Sequence, residues 1–264
     1  MTPVTTPTIH AKEVGTSGAR VVWLHGLFGQ GRNFTQIAKA LTPDLRSVLV
    51  DLPNHGKSAW TDDPSYEAVA DSVADWLSTA YDGPSHLVGH SMGGKVAMVL
   101  ALRRPELVDR LVVADISPAV SEGAGEFEHL LDSLARIDLD SIERRAEADA
   151  QLAQWVRDER VRGFLLQNLR TTKDGFTWQA NLALLRRELG IIGGFPDLDA
   201  TFDHPVLWVA GERSDYVRPE HVEVMKRLFP RTTSVTIKGA GHWVHSEKPE
   251  AFTSAVRAFL LARR

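Results

Sequence analysis

The chain has no cysteine among its 264 residues, which excludes disulfide bonds and thiol nucleophiles alike. No segment approaches the ~20 apolar residues that a membrane span requires. The N-terminal stretch, Met1 to Gly15, is rich in Thr and Pro and lacks the apolar run of a signal peptide. An excess of positive charge is also missing. Lys and Arg number 30 against 34 Asp and Glu, a formal net charge of -4, so the composition favours neither nucleic acid nor an anionic membrane as a partner. No group of side chains has the spacing of a metal site, and His25 with Asp51 finds no matching ligands. Internal repeats and low-complexity tracts are absent. The expectation is a cytoplasmic globular protein without metal or other cofactor. Its oligomeric state is left open.

What is present is ordinary core material: 43% hydrophobic and 24% charged residues, enough for one large α/β domain with an insertion. Short continuous apolar runs at Val21–Leu24, Val48–Val50, His86–Val88, Leu111–Ala114 and Val206–Val209 predict strands covered on both faces. Helices fall between them. Tyr66, Val69, Val73, Trp76, Leu77 and Ala80 recur at three- and four-residue steps, and Phe252, Val256, Phe259 and Leu260 repeat the pattern behind Pro249. Arg103-Arg104 close the central helix and complement its C-terminal dipole. From about Val120 to Asp199 the alternation breaks: the region is charged and helical in period, with no convincing strand. Its glycine-rich end, Gly190 to Pro196, reads as a loop returning to the sheet.

The most informative stretch is Gly89-His90-Ser91-Met92-Gly93. A Ser in G-x-S-x-G between a strand and a helix fits a nucleophile elbow, a turn so tight that the residues near the Ser must be small. Two other segments agree. Val21 to Gly29 is a buried strand ending in His25-Gly26, which leaves the Leu27 N–H free to face an oxyanion. Gly239-Ala240-Gly241-His242-Trp243 follows the strand-like run Ser234 to Lys238 and supplies a late His. Ser, then an acid, then His is the chain order of an α/β-hydrolase triad. Ser91 is then the nucleophile, His242 the base, and the Leu27 and Met92 N–H groups an oxyanion hole. Phe28 and Trp243 are candidate pocket residues. His25 fixes the oxyanion loop by hydrogen bonding and His90 packs under the elbow. Phe127, Trp155, Phe164, Phe176, Trp178 and Phe195 supply aromatics to the insertion, most of them to its own core.

Two aspartates compete for the third position. Asp215 lies in Gly211-Glu212-Arg213-Ser214-Asp215-Tyr216-Val217, the loop where many hydrolases carry the acid. The usual Gly-x-x-Asp-x-x-Val spacing, however, puts Ser214 in that slot. Asp115 follows the strand at Leu111–Ala114.

These segments, with Asp51-Leu52-Pro53-Asn54-His55-Gly56-Lys57-Ser58, His90-Ser91-Met92-Gly93-Gly94-Lys95, Asp115-Ile116-Ser117-Pro118 and the Gly241–Pro249 segment, resemble the α/β-hydrolases along the whole chain. More narrowly they resemble the small esterases of the YbfF type, the mitochondrial hydrolase-domain proteins and the yeast ethanol acetyltransferases. The resemblance implies a mostly parallel sheet flanked by helices, a core of residues 1–119 and 200–264, and a helical cap of residues 120–199. It implies Asp115 as the acid, with Asp215 in reserve. It also implies a serine carboxylesterase acting on small-molecule, short-acyl esters, with water or an alcohol as acyl acceptor. Thioester, lactone or carbon–carbon bond hydrolysis and perhydrolysis are the alternative reactions, and a ligand-binding module without turnover is the alternative class. Dehalogenase and epoxide hydrolase chemistry are disfavoured, because those enzymes place Asp where this chain has Ser91.

Overall fold

The computed structural model describes residues 7–120 and 124–262. Residues 1–6, which begin the Thr- and Pro-rich N-terminal segment, lie outside the described residues, as do 121–123 at the start of the insertion. In chain order the elements are β1 (His10–Val14), β2 (Ala19–Leu24), α1 (Thr35–Leu41), β3 (Leu45–Asp51), α2 (Tyr66–Ala80), β4 (Ser85–His90), α3 (Met92–Arg103) and β5 (Val108–Ala114). There follow α4 (Ala124–Ala135), α5 (Arg145–Leu152), α6 (Glu159–Leu166), β6 (Leu169–Thr172), β7 (Gly175–Trp178), α7 (Leu182–Arg187) and α8 (Leu189–Gly193). The chain ends with β8 (Val206–Gly211), α9 (Val222–Leu228), β9 (Thr232–Ile237), α10 (Val244–Glu247) and α11 (Pro249–Leu260).

Seven strands form one sheet in the order β1-β3-β2-β4-β5-β8-β9. β1 is antiparallel to β3, and the other pairs are parallel. The central strands are buried along almost their whole length, as their continuous apolar runs require when helices cover both faces. From β2 the chain steps outward to β3 and then crosses back to β4 on the other side of β2. This reversal opens a crevice at the C-terminal ends of β2 and β4, the usual place for a ligand in such sheets. His25-Gly26 leaves β2 there and Ser91 leaves β4.

α3 is buried from Gly93 to Leu102, lying between the sheet and α2. At its C-terminus Arg103 pairs with Asp71 at 2.8 Å and Arg104 with Glu106 at 2.7 Å. These exposed pairs explain the arginines without an anion, each contributing about 0–1 kcal/mol.

Between β5 and β8 the described residues include the α-helices α4 to α8 and the hairpin β6–β7. They have their own apolar cluster, built on Leu130, Leu134, Leu152, Leu165 and Leu185, which also takes in Leu27 and Phe28 from the loop after β2. Two expectations need correction here. The region does contain strands, the antiparallel pair β6–β7. With four residues each, β6 exposed after Leu169 and β7 mostly half-buried, they are too short to show a period in sequence. The glycine-rich stretch after Leu189 is also not wholly a loop, since α8 runs to Gly193. Tertiary bonds override the poor propensity of its glycines: Tyr66 Oη donates to Ile192 O at 2.6 Å, and Lys95 Nζ to Gly193 O and Gly194 O at 2.8 and 2.7 Å.

Candidate active site

Ser91 occupies the single-residue turn between β4 and α3 with φ 52° and ψ -122°, a conformation costing about 1–3 kcal/mol in a non-glycine residue. The turn closes only because its neighbours lack side chains. A Cβ on Gly89 would lie 2.2 Å from Gly93 O, and one on Gly93 would lie 2.3 Å from Leu24 O and 2.4 Å from His25 O. The small residues of the motif are therefore imposed by backbone contact.

A line of hydrogen bonds starts at the Ser91 hydroxyl. Ser91 Oγ lies 3.0 Å from His242 Nε2, and His242 Nδ1 lies 2.8 Å from Asp115 Oδ2. With the proton on Nδ1, the imidazole donates to the carboxylate and leaves Nε2 to accept from Ser91. Asp115 is fully buried. It stands just past β5 with φ 52°, its N–H donating to Val209 O at 2.9 Å. Gly211 N donates to Asp115 Oδ1 at 2.8 Å, and Ser214 Oγ donates to Oδ2. The other aspartate is elsewhere. Asp215 is exposed, and its contact is a backbone one, its carbonyl accepting from Arg218 Nε at 2.9 Å.

His242 is held on several sides. Tyr216 stacks on the His242 ring with centroids 4.1 Å apart, and burial raises its phenol to about 12. His90 Nε2 donates to the His242 carbonyl at 2.8 Å. Burial holds the His90 imidazole well below its ordinary value, the neighbouring His245 and His242 adding to the effect. His90 thus remains a neutral donor beside His242. His245, also buried, is pushed down to about 3.

The loop after β2 approaches the elbow closely. A Cβ on Gly26 would sit 3.2 Å from Ser91 Cβ. His25 stays neutral because burial lowers its pKa. Its Nδ1 donates to Gly26 O at 2.8 Å, and its Nε2 accepts from Leu52 N at 3.0 Å, which ties the loop to the end of β3. Among the described residues neither the Leu27 N–H nor the Met92 N–H has a hydrogen-bond acceptor. Phe28, at φ 62°, is fixed through its carbonyl by Asn168 Nδ2 at 2.8 Å and Gln167 Nε2 at 3.1 Å.

Two clefts meet at Ser91. One is lined by Phe28, Phe34, Phe127, Phe164, His242 and Trp243, so both aromatic pocket candidates reach it. The other is lined by Leu27, Met92, Ile116, Leu189 and Ile192, with Tyr66 and Lys95 across it. Lys95 is buried one helical turn beyond Ser91, and desolvation pushes its ammonium down to about 7. Phe127 borders both clefts. Phe176 and Trp178 pack on the insertion's core, whereas Phe195 packs on the main one. Sequence reasoning named Ser214 only as an occupied slot, quoted Lys95 only within a segment that carries the resemblance, and gave Tyr216 no role. The Gly-x-x-Asp-x-x-Val count was the signal available for Ser214. No group of three or more His, Asp or Glu able to hold a metal occurs among the described residues, nor does a helix long and apolar enough to cross a membrane.

A family model described as the alpha/beta hydrolase fold matches residues 19–249. The chain belongs to the α/β-hydrolase family. It is 40% identical over 246 residues to a Mus musculus protein named sn-1-specific diacylglycerol lipase ABHD11, covering 91% of this chain and 80% of that one. Esterase YbfF of Escherichia coli is 33% identical over 240 residues, covering 91% and 92%. Among solved structures, one titled marine microorganism esterase superposes with a TM-score of 0.93 at 32% identity, covering 96% of this chain and 99% of that one. With such relatives the chain is a hydrolase, as the resemblance implied.

Proposed function

We propose that the protein is a serine carboxylesterase for small esters with short acyl groups. The observation that carries this reading is the unbroken line from Ser91 Oγ through His242 to the buried Asp115 carboxylate. In the first step His242 Nε2 takes the Ser91 proton as Oγ attacks the ester carbonyl. The carbonyl oxygen becomes an oxyanion held by the Leu27 and Met92 N–H groups, where one such donor is worth about 3 kcal/mol of barrier. Asp115 stabilises the imidazolium and remains ionised. His242 then protonates the leaving alkoxide, and the acyl group stays on Ser91. Water resolves the acyl-enzyme by the same steps in reverse, and an alcohol entering in its place yields a new ester.

Residues 120–199 act as a cap in this reading. Those among them from 124 onward lie over the crevice through the contacts of Leu27 and Phe28 with their core and contribute Phe127 and Phe164 to the cleft. The short-acyl preference is supported by the cleft beyond Met92, which is crossed by Lys95 and Tyr66 bonded to the α8 carbonyls. A long chain that entered this cleft would meet those bonds. The lipase name of the mouse relative favours longer chains, so acyl length is the point to measure. The cytoplasm is the proposed compartment.

The test is hydrolysis of nitrophenyl esters together with fluorophosphonate labelling. The parent protein is expected to turn over acetyl and butyryl esters and to be labelled, and Ser91→Ala to do neither while keeping its circular dichroism. A parent that is neither labelled nor active would refute the reading. Ester formed when ethanol is added measures the alcohol route.

A further inference from the structure

We infer that Lys95 and Tyr66 clasp the end of α8 and fix the wall that limits acyl length, an inference that rests on the esterase reading above. In α3 the stretch from Gly93 to Leu102 is buried throughout, and Lys95 is the one charged side chain in it. It lies four residues on from Ser91, the spacing that puts two residues on one helix face, and it borders the cleft beside the nucleophile. An ammonium there costs desolvation that a Met of similar length would not. The acyl-transfer steps give it no proton to move.

Its partners explain its presence. Lys95 Nζ donates to Gly193 O and Gly194 O at 2.8 and 2.7 Å, and Tyr66 Oη donates to Ile192 O at 2.6 Å. Three consecutive carbonyls at the end of α8 are therefore held by side chains from α3 and α2. The last carbonyls of a helix have no partners within it. α8 is five residues long with glycine at 190 and 193, so it has little propensity to hold its own shape. Lys95 Nζ also lies 5.8 Å from the centroid of the Tyr66 ring, within the range of a cation–π contact.

What the clasp places is a wall. Ile192 lines the cleft beside Ser91 and also a second cavity behind it, as do Tyr66 and Met92. These three shared residues separate the two spaces. The second cavity is bounded in part by Leu52, Val69, Val96 and Leu185, side chains suited to methylene groups. With Ile192 held, an acyl chain leaving Ser91 ends at the wall. With the carbonyls released, the glycine-bearing end of α8 can shift and the chain can continue into the second cavity. Acyl length is thus set by polar bonds to α8 as well as by the bulk of the lining.

The experiment measures kcat/KM on nitrophenyl esters from acetyl to dodecanoyl for the parent, Lys95→Met, Tyr66→Phe and Ile192→Ala, with fluorophosphonate labelling of each. Lys95→Met should raise the octanoyl-to-butyryl ratio about tenfold, the scale on which an apolar pocket discriminates chain length. Tyr66→Phe removes one of the three bonds and should raise it about threefold. Ile192→Ala keeps both clasp residues and opens the wall directly, so it should reproduce the Lys95→Met shift. A merely structural Lys95 would lower turnover of all esters together and leave the ratio unmoved. If Lys95→Met does not accumulate as folded protein, Tyr66→Phe and Ile192→Ala carry the comparison. Parental ratios in the folded clasp variants, with labelling intact, would overturn the inference and leave the esterase reading standing, as would a parental ratio in Ile192→Ala. A parent that hydrolyses octanoyl as well as butyryl esters would also overturn it, since no wall would then limit the chain. A parent neither labelled nor active would overturn both.

Discussion

Replacing Asp115 by Asn changes one atom of a fully buried side chain, yet three donors converge on that carboxylate: Gly211 N–H, Ser214 O–H and His242 Nδ1–H. A carboxylate accepts all three, but an amide has only one acceptor oxygen. If the amide nitrogen faces Gly211, donor meets donor at a backbone group that cannot turn away. The oxygen therefore stays on Gly211 and the NH₂ faces His242. The imidazole must then accept at Nδ1 and carry its proton on Nε2, pointing at the Ser91 hydroxyl. The base is lost because its proton is on the wrong nitrogen. The same reversal in a serine protease costs about 10⁴-fold in kcat, roughly 5 kcal/mol of barrier at 1.36 kcal/mol per decade. Asp215→Asn alters an exposed side chain, whereas the His242 ring nitrogens are bonded to Asp115 and Ser91, and it should stay within about threefold of the parent, as surface substitutions do. The assay is kcat and KM on nitrophenyl butyrate for both variants, with circular dichroism confirming the fold. An Asp115→Asn enzyme within a few-fold of the parent would refute the argument, as would Asp215→Asn being the crippling change.

Other outcomes follow from separate parts of the molecule. Gly93→Ala forces a methyl against Leu24 O and His25 O and should cost about 1–3 kcal/mol together with activity; an unchanged urea midpoint would show that the elbow can relax. His55 and His245, buried and pushed down to about 3, titrate near 6.5 once unfolded. The unfolded state therefore binds more protons below pH 6.5, and stability should fall on acidification by up to about 1.4 kcal/mol per pH unit for each. Denaturant titrations at pH 7, 6 and 5, above the range where carboxylates titrate, should show this slope, and a flat profile would contradict neutral burial. Acetyl and butyryl esters should have higher kcat/KM than palmitoyl esters, and equal values would remove the short-acyl preference.

The parts of the site visible in the sequence are those forced by backbone sterics. Gly89 and Gly93 are small because another main chain passes within van der Waals distance, so the elbow is written in the sequence. The buried central strands are equally plain, because a strand covered on both faces has few polar alternatives. The candidate acid was legible as a misfit, with Ser214 where an Asp was due, and through the resemblance, which implied Asp115. What remained hidden depends on tertiary packing. β1 is an edge strand with no fully buried residue, so no apolar run announces it. The hairpin β6–β7 is too short to show a period. Phe127 and Phe164 reach the cleft whereas Phe176 and Trp178 pack within the insertion, a choice made by helix docking that spacing alone cannot reveal.

Backbone strain marks the site in a way that no propensity could. Among the described residues, the non-glycine positions with positive φ are Phe28, Asn54, Ser91 and Asp115, at 62°, 66°, 52° and 52°. Each lies within four residues of the C-terminal end of a central strand: β2, β3, β4 and β5 in turn. Asn and Asp tolerate positive φ better than most, but Phe and Ser adopt it at a cost of about 1–3 kcal/mol each. Glycine would relieve the strain at any of them. It would also remove a hydroxyl at 91, a carboxylate at 115 and, at 28, the ring that joins the loop after β2 to the insertion's core. The surroundings offset the cost locally. Asn168 and Gln167 hold the Phe28 carbonyl. Thr61 and Asn181 hold the Asn54 side chain, and three donors hold Asp115. The strained turns therefore sit where four parallel strands end at one crevice, each aiming a side chain or carbonyl that a relaxed turn would direct elsewhere.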